Sequence, residues 1–162
     1  MNDNLLKVYS FLMHKSIPFK RYCHASCTTD SEWMASLKKM NVPCSFVHTS
    51  IFSLPDENFL CFLQELSESK ENSSEILLQK VEPVPILQKE KIFQRFDCNE
   101  NTLSPLAFVL DLKNEFSVTF SDSLRESEYL CFPCIDDTES IIMSYSDFLE
   151  YFIPATGIKI IQ

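Results

Sequence analysis

Apolar residues recur at helical spacing near the start of the chain. Leu5, Val8, Tyr9, Leu12 and Met13 share one face, and Asp3 is placed to cap it. Pro18 ends that segment, and residues 19–23 have strand composition. Thr29-Asp-Ser-Glu32 is a capping box. The helix it opens sets Trp33, Leu37 and Met40 on one face until Asn41-Val42-Pro43 stops it. Ser45–Ser53 and residues 58–63 are rich in β-branched and aromatic residues and flank Pro55-Asp56-Glu57-Asn58, which predicts a hairpin. Residues 67–74 are polar and read as a loop. Short helices are expected at 75–80 and 88–96, held apart by Pro83 and Pro85.

Residues 97–105 have turn composition. A second hairpin is expected from 106–111 and 115–120, turned at Leu112-Lys113-Asn114. Strands near 129–132 and 140–143 follow, then a helix capped by Ser144 that runs through Phe152, then a closing strand at 158–161. Strands and helices are intermixed, and several strands are joined by short turns. The fold class is therefore α/β (α+β), one domain over 1–162, with a mixed, mainly antiparallel sheet packed by helices.

Composition sharpens this picture at a few points. A chain of 162 residues that is 45% hydrophobic and 23% charged has ordinary globular composition. Fourteen Phe and one Gly are unusual, so turns must rely on Asn, Asp, Ser and Pro. The net charge of −9 argues against a general binder of DNA or other phosphate backbones. No apolar run is long enough to cross a membrane, and residues 1–15 lack a secretory pattern. Seven cysteines without a dense framework suit reduced thiols, so the expected location is the cytoplasm.

The stretch from Asn101 to Ile161 carries the most specific pattern. It reads Asn101-Thr-Leu-Ser104-Pro105, then Tyr129-Leu-Cys-Phe132-Pro133-Cys134-Ile-Asp136-Asp137-Thr-Glu-Ser140, a Ser144-capped helix, and Thr156-Gly157-Ile-Lys-Ile-Ile. Upstream lie His24-Ala-Ser-Cys-Thr-Thr29 before a helix, and His48-Thr-Ser-Ile-Phe on a strand. In order and spacing this set resembles the YbaK/ProX family of aminoacyl-tRNA deacylases, which includes the editing domain associated with prolyl-tRNA synthetase. The resemblance spans roughly residues 4–161. It implies a twisted sheet curling around a cleft, and hydrolysis of the ester in mischarged aminoacyl-tRNA, with no cofactor. It further implies an aminoacyl-tRNA synthetase or translation factor as a partner, and neither DNA nor membrane.

In that family a Lys helps hold the substrate, and a Gly-x-x-x-Pro loop lends backbone amides to the aminoacyl group. Such chemistry needs oriented donors around a developing oxyanion. Here the resemblance sets His48 at the Lys and Asn101 at the Gly, with Pro105 retained; these three are the expected catalytic positions. Around them, His24, the loop residues Thr102, Leu103 and Ser104, and Pro133, Asp137 and Ser140 fall at substrate-binding positions. Loss of the Lys and gain of Asp137 make the cleft less welcoming to phosphates.

Two further constellations stand apart from the resemblance. Cys131-Phe-Pro-Cys134 has the spacing of half a zinc site or a redox pair, with Cys23, His24 and Cys27 as the other half. The simpler reading is a buried strand, with no metal. Asp136, Asp137 and Glu139 form an acidic turn that suits solvent better than a cation. The Phe pairs 59/62, 116/120 and 148/152 fit core faces, because no basic residues are interleaved with them. Three functions therefore compete. The chain is a trans-editing deacylase with a divergent site, a catalytically inactive relative that binds the translation machinery as an adaptor, or, a distant third, a zinc or redox protein.

Overall fold

In Ser45–Ser53 (β2), burial alternates along the strand, with Phe46 and Val47 leading into buried Thr49 and Ile51. β2 organises the sheet. The structure, a computed structural model, describes residues 2–41, 43–66, 81–110 and 115–161. The expected loop at 67–74 and helix at 75–80 lie outside those residues.

The other strands are Lys20–Cys23 (β1), Phe59–Glu65 (β3), Glu82–Pro83 (β4), Phe116–Phe120 (β5), Tyr129–Cys134 (β6), Asp136–Ser144 (β7) and Lys159–Ile160 (β8). They form one sheet in the order β1-β7-β6-β2-β3-β5-β8, with β4 on β2. Four pairings are antiparallel (β1–β7, β2–β3, β2–β4, β6–β7) and three are parallel (β2–β6, β3–β5, β5–β8). The fold is thus a mixed, mainly antiparallel sheet flanked by helices.

β2 meets β6 over two residues only, Ser45 against Leu130 and Phe46 against Cys131. On the same edge it meets β4 at Phe52 and Ser53. Between these contacts, residues 47–51 have no strand on that side among the described residues. The sheet therefore parts into two halves along β2.

Alternation sends side chains to two cores. Leu130, Phe132, Ile141, Met143, Val47 and Ile51 face the larger one, beneath the helix Asp3–His14 (α1). Phe46, Cys131 and Ile142 face the smaller one, beneath Trp33 and Leu37 of the helix Asp30–Lys38 (α2). The phenylalanines fill the larger core as stacked and edge-on pairs, the closest being Phe108 and Phe116 at 4.2 Å.

Several local expectations change. Asn2 rather than Asp3 caps α1, its side chain accepting from Asn4 N at 2.8 Å. Thr29 caps α2 as expected, but that helix stops at Lys38 and Met40 is exposed. The second hairpin does not form. Pro105–Leu110 is a 3₁₀ segment, and β5 pairs parallel with β3 instead. Leu106, Ala107 and Phe108 are all buried, so the run has no solvent face to alternate with, and Pro105 at its start presets a helical turn. The C-terminal helix runs on past Phe152, through the π turn Phe148–Phe152 to Ile153–Thr156, and ends at Gly157 with φ 74°.

One polar cluster ties α1 to the sheet. Glu139, 7% exposed, accepts from Arg21 Nε at 2.9 Å and Nη2 at 2.6 Å, and from the Tyr9 hydroxyl at 2.9 Å. The Arg21 guanidinium holds its carboxyl below the usual range, with Tyr9 adding to the effect. A depressed folded-state pKa stabilises above the unfolded value, and that stability is lost as pH falls through the folded one. Glu139→Gln is therefore expected to lower stability at pH 7 by about 2 kcal/mol, less than the roughly 3–5 kcal/mol of a fully buried pair because Arg21 is partly exposed. The gap between wild type and variant, read by urea unfolding, should close below about pH 4. A gap unchanged from pH 7 to pH 3 would show that the ionised carboxylate is not what stabilises.

Candidate functional site

Residues 97–104 link the helix Ile86–Phe96 (α3) to the 3₁₀ segment. α3 ends at Asp97 in the left-handed region, φ 54°. Asn99 then organises the turn. Its Oδ1 accepts from Asn101 N at 2.8 Å and Thr102 N at 3.1 Å, and its carbonyl from Leu103 N at 3.0 Å. In return Asn99 N donates to Thr102 Oγ1 at 2.9 Å. Three successive amides are thus engaged inside the loop. Asn101 needs no left-handed backbone here; that conformation falls on Asp97.

This loop runs between two clefts. The first is lined by His24, Asn101, Thr102, Pro133, Asp137 and Glu139, among others, and has a volume of about 20 Å³. One water needs roughly 10–15 Å³ of such space, so this cleft holds about one water. Several of its polar groups are already paired. His24 Nε2 lies 2.8 Å from Ser140 Oγ, and Nδ1 lies 3.0 Å from the Ala25 carbonyl. Ser140, fully buried, accepts from the Trp33 indole N–H at 2.7 Å. The pattern closes when Ser140 donates to Nε2 and Nδ1–H donates to Ala25. Asp137 accepts from Ser26 at 2.6 Å, and Asp136 from Thr138 at 2.7 and 2.8 Å. The acidic turn is thereby committed to its own backbone and neighbours.

The second cleft occupies the gap in β2 and is much larger, about 230 Å³. His48, Thr49 and Ile51 line it from the strand, Lys89 and Phe93 from α3, and Leu103 from the loop. Lys89 is not among the positions the resemblance marks, yet it brings an ammonium to the wall that carries His48. Its Nζ lies 3.1 Å from Glu100 Oε1, another lining residue, and 5.9 Å from the Phe93 ring centre. Thr49 is 3% exposed, and its hydroxyl has no hydrogen-bond partner among the described residues. Such an orphaned group costs about 1–3 kcal/mol when dry. Phe46 gives its carbonyl to Leu66 N–H at 3.0 Å on the β3 side. By alternation, the backbone groups of Val47, Thr49 and Ile51 point the other way, into the gap.

The expected site residues therefore fall into three places. His24, Asn101, Thr102, Pro133 and Asp137 line the small cleft, with Ser140 behind it. His48 and Leu103 line the large one. Pro105 and Ser104 are buried and line neither; Ser104 Oγ accepts from Leu106 N at 3.3 Å. The paired cysteines do not form half a metal site. Cys131 faces the α2 core and Cys134 the α1 core, on opposite faces of β6, and burial pushes both thiols up.

Ser140→Ala would leave the Trp33 N–H buried without an acceptor. The variant is expected to lose about 1–3 kcal/mol in urea unfolding. The protein's one tryptophan, Trp33 itself, reports the transition. An unchanged midpoint would mean that the small cleft is not held shut by this bond.

No family model matches the chain, and no curated protein matches it in sequence. Solved structures do match in shape. A candidate trans-editing enzyme for prolyl tRNA synthetase aligns with TM-score 0.69 at 10% identity, over 100% of this chain and 97% of that one. A hypothetical protein aligns at 0.67 and 15% identity, over 95% and 96%. A scaffold from epitope backbone grafting by computational design aligns at 0.70 and 8%, over 100% and 97%. At these identities the likeness establishes the fold alone.

Proposed function

We propose that this chain is a divergent YbaK/ProX-type protein that receives the aminoacyl end of mischarged tRNA in the β2 gap and hydrolyses its ester. The supporting observation is the large cleft, lined by His48, Thr49 and Lys89 together with the apolar Ile51, Phe93 and Leu103. A shape shared end to end with a candidate trans-editing enzyme is consistent with this reading.

On this reading the chemistry leans on side chains rather than on loop amides, because Asn99 already engages the amides of Asn101, Thr102 and Leu103. A water oriented by His48 attacks the ester carbonyl carbon. The negative charge that develops on the carbonyl oxygen is met by Lys89. The carbon–oxygen bond to the ribose then breaks, the ribose oxygen takes the proton that His48 drew from the water, and the amino acid leaves as its carboxylate while the second water proton passes to solvent. The partner is tRNA, or a synthetase presenting it, in the cytoplasm, with no metal or cofactor in the reaction.

The same engaged amides, with a net charge of −9, favour a second reading: a relative without catalysis that binds the translation machinery as an adaptor.

Incubation with a panel of mischarged tRNAs separates the two. Hydrolysis predicts release of at least one amino acid above the rate in buffer, and a loss of about 100-fold in His48→Ala. If no amino acid is released from any tRNA, the hydrolytic reading fails. Stable binding of tRNA or synthetase without release would establish the adaptor instead.

A further inference from the structure

Lys89 and Glu100 set a cation and an anion 3.1 Å apart on the wall of the β2 cleft, Lys89 from α3 and Glu100 from the loop after it. An α-amino acyl group presents the complementary pair, a cationic ammonium next to a carbonyl oxygen. The remaining wall is largely apolar, formed by Ile51, Phe52, Val84, Phe93 and Leu103. The β2 edge supplies the backbone N–H and C=O of Thr49, which lies between the two short ladders and is paired to no strand on that side among the described residues.

From this arrangement we infer that the cleft selects an α-amino acyl group with an apolar side chain. Glu100 receives the α-ammonium and Lys89 the carbonyl oxygen. The side chain enters between Ile51, Phe93 and Leu103, and the Thr49 hydroxyl hydrogen-bonds the bound ligand. The inference rests on the aminoacyl reading above and adds what that reading leaves open: which amino acids, and which residues distinguish them. It assigns selectivity to Glu100 and Thr49, which the hydrolytic step does not use.

Each part has a physical reason. An acidic side chain would have to enter an apolar wall without a partner cation, because Lys89 is held at the ammonium–carbonyl end. An acyl chain of the same shape without the α-ammonium forgoes the ion pair with Glu100, whose carboxylate then stays with Lys89 and solvent. Thr49 is nearly isosteric with valine, so Thr49→Val removes an orphaned polar atom from the empty protein but a bond from the complex.

Binding to non-hydrolysable probes tests this by calorimetry. The probes are 3′-amino-3′-deoxyadenosine amides of leucine, of aspartate and of 4-methylpentanoate, the last being leucine without its ammonium. The leucyl probe is expected to bind at least tenfold tighter than either other probe. Glu100→Gln should bring it to the level of the 4-methylpentanoyl probe. Thr49→Val should weaken it several-fold while the empty variant melts no lower than wild type. Leu103→Trp, which fills the cleft, should abolish binding with folding verified by circular dichroism. Equal binding of the three probes, no binding of the leucyl probe, or indifference to Glu100→Gln overturns the inference.

The two proposals fail separately. Selective probe binding without ester release from any mischarged tRNA leaves this inference standing and removes hydrolysis. Ester release that is lost in His48→Ala and in Leu103→Trp but indifferent to Glu100→Gln does the reverse.

Discussion

The two-residue parallel contact between β2 and β6 is the constraint on which the rest depends. A longer ladder would seal residues 47–51 against β6, and no cleft would exist. With no contact the two half-sheets would have no common strand. The contact is held from the α2 side, where Trp33 packs edge-on against Phe46 at 5.1 Å and Cys131 lies alongside. It is held from its start by Ser45 Oγ and Ser127 Oγ, 2.7 Å apart. Beyond Phe46 the strands part, and the space appears on the C-terminal side of the point where they run parallel. Open sheets commonly form their binding crevices where strand connectivity reverses, and β2, antiparallel to β3 and parallel to β6, is such a point here.

The small cleft shows how residues at site positions can serve architecture. His24, Ser140 and Trp33 form one closed chain of hydrogen bonds, and Glu139 joins β7 to β1 and α1. The turn between β6 and β7 carries Ile135 at φ 63°, a conformation that a β-branched residue adopts at a cost of roughly 1–3 kcal/mol. Its side chain is 4% exposed within the larger core, and that burial offsets the strain. Strain, paired carboxylates and room for about one water together describe a joint built to stay closed.

The sequence made elements legible where a local rule decides them. Thr29 and Ser144 announce their helices because a cap is a bond between near neighbours. The two hairpin strands around Pro55 show because their composition and turn are both local. The 3₁₀ segment at Pro105 was not legible, since a short run buried all round has no period to read. Parallel pairing of β5 on β3 was equally hidden, being a choice of partner across distance. The site split for the same reason. His48 and Lys89 line one cleft from β2 and α3, and no spacing in the chain relates them. The one available signal was the i, i+4 pair Lys89 and Phe93 on a single helix face, which says that a cation sits over a ring but not what lies opposite.

Electrostatics limits how such a protein can hold a nucleic acid. With a net charge of −9, the long-range field repels a phosphate backbone, so attraction must come from cations that are locally free. α3 carries Lys89, Lys91 and Arg95, but Arg95 pairs with Glu115 and lies over Phe96 and Phe116, and Lys89 pairs with Glu100. α3 alone can then neutralise few phosphates, and an affinity resting on it would depend weakly on salt, in contrast to proteins that release many counterions. Discrimination would have to arise from the terminal group that enters the β2 gap, where water is displaced and each hydrogen bond counts for more than on the open surface. Under the proposed function the acidic surface and the confined cleft are compatible: the first discourages general binding to nucleic acid, and the second would admit only a terminal group.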